Sequence, residues 1–142
     1  VQYENDVARG AAIRVSRFDA QFVEDAWEVL KTPIAPYVPG EFAARELPVL
    51  LGLLRGVPAD LVVVDGYVWL DAEGRPGLGA RLHDALGVPV LGIAKTAFHG
   101  SPHARAVLRP SSQNPLFVTG VALERAGLTL DDAAEAVRTM HG

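Results

Sequence analysis

Two short apolar runs, Leu61-Val62-Val63-Val64 and Val88-Pro89-Val90-Leu91-Gly92-Ile93-Ala94, bracket a polar excursion to Gly77 and a helical segment from about Leu78 to Leu86. Short β-branched runs bounded by turn residues read as buried strands. Two such strands joined through a helix form a parallel pair, and a parallel pair needs helices over its faces. The first run ends in Asp65-Gly66. Ligand sites of open α/β sheets gather at the carboxyl ends of strands. Asp65 is therefore either a turn residue or part of a site, and the rest of the chain must decide.

Before these runs, Val1 to Tyr3 reads as a truncated strand and Glu4 to Arg9 as a polar turn. Ala11 to Phe18 alternates like a half-buried strand. Phe22 to Leu30 reads as a third strand, although its pattern also permits a helix. The short spacings imply an antiparallel meander. Lys31 to Gly40 holds three prolines and a glycine and reads as a loop. A helix is expected from about Glu41 to Leu54, with Glu41 at the positive end of its dipole. After Ala94, His99 to His103 forms a loop, and Ala104 to Arg109 pairs with Leu116 to Thr119 as a hairpin. A last helix runs from Thr129, its N-cap, to about Met140, with Asp131 and Asp132 in its first turn. The order implies an α/β fold with a mixed sheet: a three-strand meander, then parallel strands with flanking helices. One domain over residues 1–142, trimmed at both ends, is expected.

Of the 142 residues, 49% are hydrophobic and 21% charged, which excludes a disordered chain. There are no cysteines, so disulfides and thiolate metal sites are excluded. Any metal would be held by oxygen or histidine. The net charge of −4 argues against a non-specific nucleic-acid binder, but a site made of carboxylates is acidic by construction. No apolar run reaches bilayer length, and no signal-peptide pattern opens the sequence. The expectation is a cytoplasmic protein without a membrane partner, a monomer or weak homo-oligomer.

On the helix after the proline loop, Phe42, Glu46, Val49 and Leu53 share one face, extended by Leu50 and Leu54. Glu46 thus falls on the inward side. A buried carboxylate requires a partner or a metal. Arg45 is a candidate partner, although adjacent helical residues do not face each other. Lys95 follows the second apolar run; it is either an ordinary surface lysine or lies on the same sheet edge as Asp65. Two carboxylates and a lysine there suit a divalent cation acting on a phosphate. Mg²⁺ needs only one or two carboxylates, and the lysine would offset phosphate charge. In Ala35-Pro36-Tyr37-Val38-Pro39-Gly40, two prolines hold Tyr37 on a stiff tip, either to stack on bases or to close a small apolar core. His83 reads as surface or partly packed, and His141 as solvated. His99 and His103, bracketing a loop after Lys95, are the candidates for an auxiliary acid, base or ligand.

The segments PYVPGEFAARELP, LVVVDGY, GLGARLHDALGVPVLGIAK and NPLFVT, in this order, resemble endonuclease V. The resemblance runs from about Val1 to Met140. It implies a ribonuclease H-like fold and a nuclease of deaminated-purine repair, cutting near deoxyinosine in DNA or inosine in RNA with Mg²⁺ or Mn²⁺. By the same resemblance, Tyr37 is similar to the family's strand-separating wedge. Glu46 and Asp65 are similar to two metal-binding carboxylates, and Lys95 to the active-site lysine. A purine pocket would form around Val38, Pro39 and Gly40 and around Gly66 and Tyr67. The chain departs from the family pattern in four places, one of them Ala80-Arg81-Leu82 where the family has S-H-L. The family's first Asp would immediately precede Val1. Asp71 to Gly77 replaces its H-P-R segment. Val118-Thr119-Gly120 stands where an S-P-G-H element supplies a histidine. These departures leave an alternative, a nucleic-acid-binding module of the same fold that no longer cuts. A hydrolase of small phosphoesters is a further one.

Overall fold

The structure, a computed structural model, describes residues 1–18, 23–31, 36, 42–97 and 102–140. Tyr37, Val38, Pro39, Gly40, Glu41, His99 and His141 lie outside the described residues, as does the side chain of Phe42.

The meander comprises β1 (Gln2–Glu4), β2 (Val7–Arg14) and β3 (Asp25–Lys31), antiparallel in that order. The polar turn expected from Glu4 to Arg9 is only Asn5-Asp6, because Glu4 already pairs with Val7. Both turn residues have positive φ, 48° and 63°. Such a two-residue loop matches the twist of the flanking strands, and Asn and Asp tolerate the conformation. The second strand therefore starts at Val7 rather than at Ala11. Phe22 to Leu30 is a strand in its second half, with β3 beginning at Asp25.

Helix α1 (Phe42–Leu54) follows. Its inward face is the one expected, with Glu46, Val49 and Leu53 buried. Trp27 of β3 donates its indole N–H to the Leu53 carbonyl at 2.8 Å, satisfying a helix-end acceptor that the helix itself leaves open.

Strand β4 (Val62–Asp65), helix α2 (Leu78–Leu86) and strand β5 (Val90–Ala94) form the expected parallel crossover. Strands β6 (Arg105–Val107) and β7 (Leu116–Val121) form the hairpin. Strand β7 inserts antiparallel beside β5, so this sheet runs β4-β5-β7-β6. Among the described residues, no ladder joins it to the meander. Helix α3 (Leu130–Thr139) starts at a capping box in which Thr129 and Asp132 satisfy each other's backbone N–H.

Alternation along the strands creates two cores. Val62, Val64 and Val90 face α2, burying Ala80 and Leu82, with Leu47, Leu50 and Leu51 of α1 packed alongside. Leu91 and Val118 face α3, burying Ala133 and Val137. Helices thus cover both faces of the four-stranded sheet, as its parallel pair requires. Among the described residues no helix is long and apolar enough to cross a membrane.

Candidate active site

Asp65 is the last residue of β4, and its register partner on β5 is Ile93. Lys95 lies two residues further, just past the end of β5. Parallel pairing therefore carries both side chains to one sheet edge. Both are exposed, and both line a cavity of about 310 Å³ on the α3 side. Val63, Ile93, Leu116 and Val137 supply its apolar wall, and Arg109 a second cation.

The segment after Asp65 is held rigidly. Gly66 has φ of +141°, a conformation that favours glycine, and its N–H donates to the Ile93 carbonyl at 2.9 Å. Beneath it, a side chain at Gly92 would place Cβ 2.4 Å from the Gly66 carbonyl oxygen, so only glycine fits there. The fully buried Thr119 hydroxyl accepts the Val68 N–H at 2.8 Å. Tyr67 is buried, and its hydroxyl donates to the Thr96 carbonyl at 2.9 Å. That bond ties the turn after Asp65 to the turn after Lys95. The Tyr67 side chain thus holds the edge of the site together.

Glu46 comes from the helix layer on the opposite face and is not part of the cavity wall. It is 6% exposed. Burial raises its pKa above the usual carboxylate range. The Tyr3 hydroxyl and Arg45 pull it back, and the Asp65 carboxylate adds to the rise. The two carboxylates are thus close enough to feel each other's charge. Tyr3 of β1 lies beside Glu46, and the Arg45 guanidinium stacks over its ring at 3.8 Å from the centroid. Burial and the neighbouring Glu46 charge push the Tyr3 phenol up to about 12, with Arg45 opposing them. Its oxygen is buried without a well-formed hydrogen bond, and we read its proximity to Glu46 as a loose electrostatic contact. Arg45 therefore flanks Tyr3 and Glu46 together, which the helical spacing alone did not suggest.

A buried carboxylate under the charge of a second carboxylate is a donor pair of the kind an oxygen-preferring divalent cation takes, because the cation offsets the repulsion between them. Among the described residues, no group of three or more Asp, Glu or His side chains converges. His83 is engaged elsewhere, its Nδ1–H donating to the Val88 carbonyl at 2.7 Å. His103 is exposed in the turn before β6, the strand farthest from β4 in the sheet order. The structure thus brings Asp65 and Lys95 into one cavity and Glu46 within electrostatic reach of Asp65, while His103 remains apart. Sequence reasoning missed Tyr3, Arg109 and Thr119. Tyr3 is legible as an inward position of an alternating strand. Thr119 and Arg109 carry no local signal, since their roles depend on which strand lies next to which.

Comparison with known proteins adds to this geometry. The profile of the endonuclease V family matches residues 1–137. Endonuclease V of Streptomyces coelicolor is 35% identical over 133 residues, covering 90% of this chain and 54% of that protein. The chain spans about half the length of the curated relatives it matches. The catalytic domain of human endonuclease V superposes with a TM-score of 0.74 at 21% identity, covering 98% of this chain and 70% of that one. Endonuclease V of Ciona intestinalis, solved with a 24mer DNA containing an inosine followed by a ribo-adenosine, gives a TM-score of 0.62 at 15% identity over 94% of this chain and 77% of that one.

Proposed function

The chain belongs to the endonuclease V family, and on that premise we propose that it is a divalent-metal-dependent endonuclease cleaving a phosphodiester near a deaminated purine, deoxyinosine in DNA or inosine in RNA. The observation that carries this reading is the meeting of Asp65 and Lys95 in one cavity; the Asp65 charge also helps to raise the pKa of the buried Glu46. The inosine-containing DNA bound to the Ciona protein supports the substrate class.

In this reading Glu46 and Asp65 hold Mg²⁺ or Mn²⁺. Such a metal, when bound, supplies a hydroxide-generating Lewis acid and stabilises the leaving oxygen. Burial keeps Glu46 fixed and poorly hydrated, which strengthens its attraction for a cation. Lys95 faces the strand phosphate and offsets its developing charge. Tyr67 and Thr119 fix the backbone on either side of these groups. Tyr37 is assigned the wedge, and Pro39, Gly40 and Gly66 the backbone that meets the purine.

Incubation with inosine-containing DNA and RNA strands in Mg²⁺ or Mn²⁺ tests the proposal, with Glu46→Gln and Asp65→Asn as controls. Cleavage by the wild type and its loss in both variants is the expected result. Binding without cleavage by the wild type would make the chain a nucleic-acid-binding module instead.

A further inference from the structure

Arg109 shares the cavity wall with Asp65 and Lys95, yet it arrives from the other end of the sheet. It follows β6, which is separated from β5 by β7. Its backbone is fixed by a tight turn: its carbonyl accepts the Ser112 N–H at 3.1 Å, and Ser111 has φ of +64°. The side chain is half-buried. Among the described residues it has no ion pair, with Asp65 or with any other carboxylate. The cavity therefore sets two cations against one carboxylate, on walls otherwise apolar.

A guanidinium partly withdrawn from water needs an anionic or polar partner, and among the described residues Arg109 makes no ion pair. Its planar fork matches phosphate oxygens in a bidentate way that an ammonium does not. Two cations beside an apolar wall suit one nucleotide unit, with its phosphate between them and its sugar or base on Val63, Ile93 and Leu116. We infer that Arg109 is a positioning residue that holds a backbone phosphate of the bound nucleic-acid strand next to Lys95. The inference rests on the nucleic-acid reading above, but not on cleavage.

The test is binding of fluorescently labelled single strands, with and without inosine, by fluorescence anisotropy in EDTA across a series of KCl concentrations. Wild type, Arg109→Ala and Arg109→Lys are compared, and thermal melting checks that each is folded. Arg109→Ala is expected to bind roughly tenfold more weakly, as loss of a charged hydrogen bond implies. Its log–log salt slope should fall by about 0.7, one phosphate contact on a single strand. Arg109→Lys should keep the slope and recover part of the affinity. A purely structural role would not change the slope. An Arg109→Ala protein that binds as wild type with an unchanged slope overturns the inference, as does a wild type that binds no strand. Wild-type cleavage with normal binding by the variant sinks Arg109 alone. The expected slope change in a wild type that never cleaves supports Arg109 and sinks the nuclease reading.

Discussion

In the proposed site, Glu46 stands where function and stability oppose each other. Burial, with the Asp65 charge adding to it, raises its pKa in the folded state, so the folded protein binds more protons than the unfolded chain around that pKa. The stability that this proton contributes is complete below the ordinary glutamate pKa and is lost as pH rises through the raised folded value. Glu46→Gln should therefore melt at a higher temperature than the wild type at pH 8 in EDTA. The difference should vanish in acid, below the ordinary glutamate range. The same variant should lose at least ~100-fold in cleavage rate, a loss of about 2.7 kcal/mol of transition-state stabilisation. Tyr67→Phe makes a different prediction. It removes only the hydroxyl that reaches the Thr96 carbonyl. Cleavage should slow through kcat with little change in KM, as measured by steady-state kinetics, because Lys95 shifts relative to Asp65 while substrate contacts persist. The burial of Glu46 and the strand-end position of Asp65 were legible in the sequence, one from helical phase and one from its place after an apolar run. The resemblance assigns the backbone of Gly66 and Tyr67 to a purine pocket, which the inward packing of the Tyr67 ring leaves open. A Tyr in a D-G-Y turn does not reveal that its ring packs inward, because the backbone carbonyl that it bonds is 29 residues away.

At the scale of elements, the crossing of β4, β5 and β7 fixes the site. Thr119 of β7 reaches past β5 to the Val68 N–H, and Gly92 lies under Gly66 with no room for a methyl group. Thr119→Val keeps the shape but leaves a buried N–H unpaired. It should cost ~1–3 kcal/mol in urea unfolding. Gly92→Ala should cost about as much or more, because its Cβ meets backbone that cannot rotate away. Helix α1 persists through Pro48, which removes one intrahelical hydrogen bond, because Val49 and Leu53 remain packed. The sequence pattern located α1, α2, β4, β5 and the β6–β7 hairpin, since each has a long apolar phase or clear punctuation. It placed the first turn too broadly, because positive φ at Asn5 and Asp6 lets a two-residue loop do the work of six.

For the whole molecule, the decisive expectation concerns metal. Removal of divalent ions with EDTA should abolish cleavage reversibly. Mg²⁺ should raise the melting temperature of the wild type but not of Glu46→Gln or Asp65→Asn, as differential scanning fluorimetry would show, because a ligand of the folded state stabilises it by mass action. The sequence by itself determined the class of fold, the inward face of α1 and the strand-end position of Asp65. Each follows from the local period of apolar residues, 3.6 in a helix and 2 in a strand. Tertiary structure alone decided which side chains meet. Strand β7 enters beside β5, Arg109 is thereby carried to the cavity of Asp65 and Lys95, and the buried Glu46 feels the Asp65 charge. The physical reason is that strand order and layer stacking depend on contacts between residues far apart in the chain, and no local period encodes them. Asp65 could be marked from its own neighbours, whereas its partners could be known only once the sheet had closed around it.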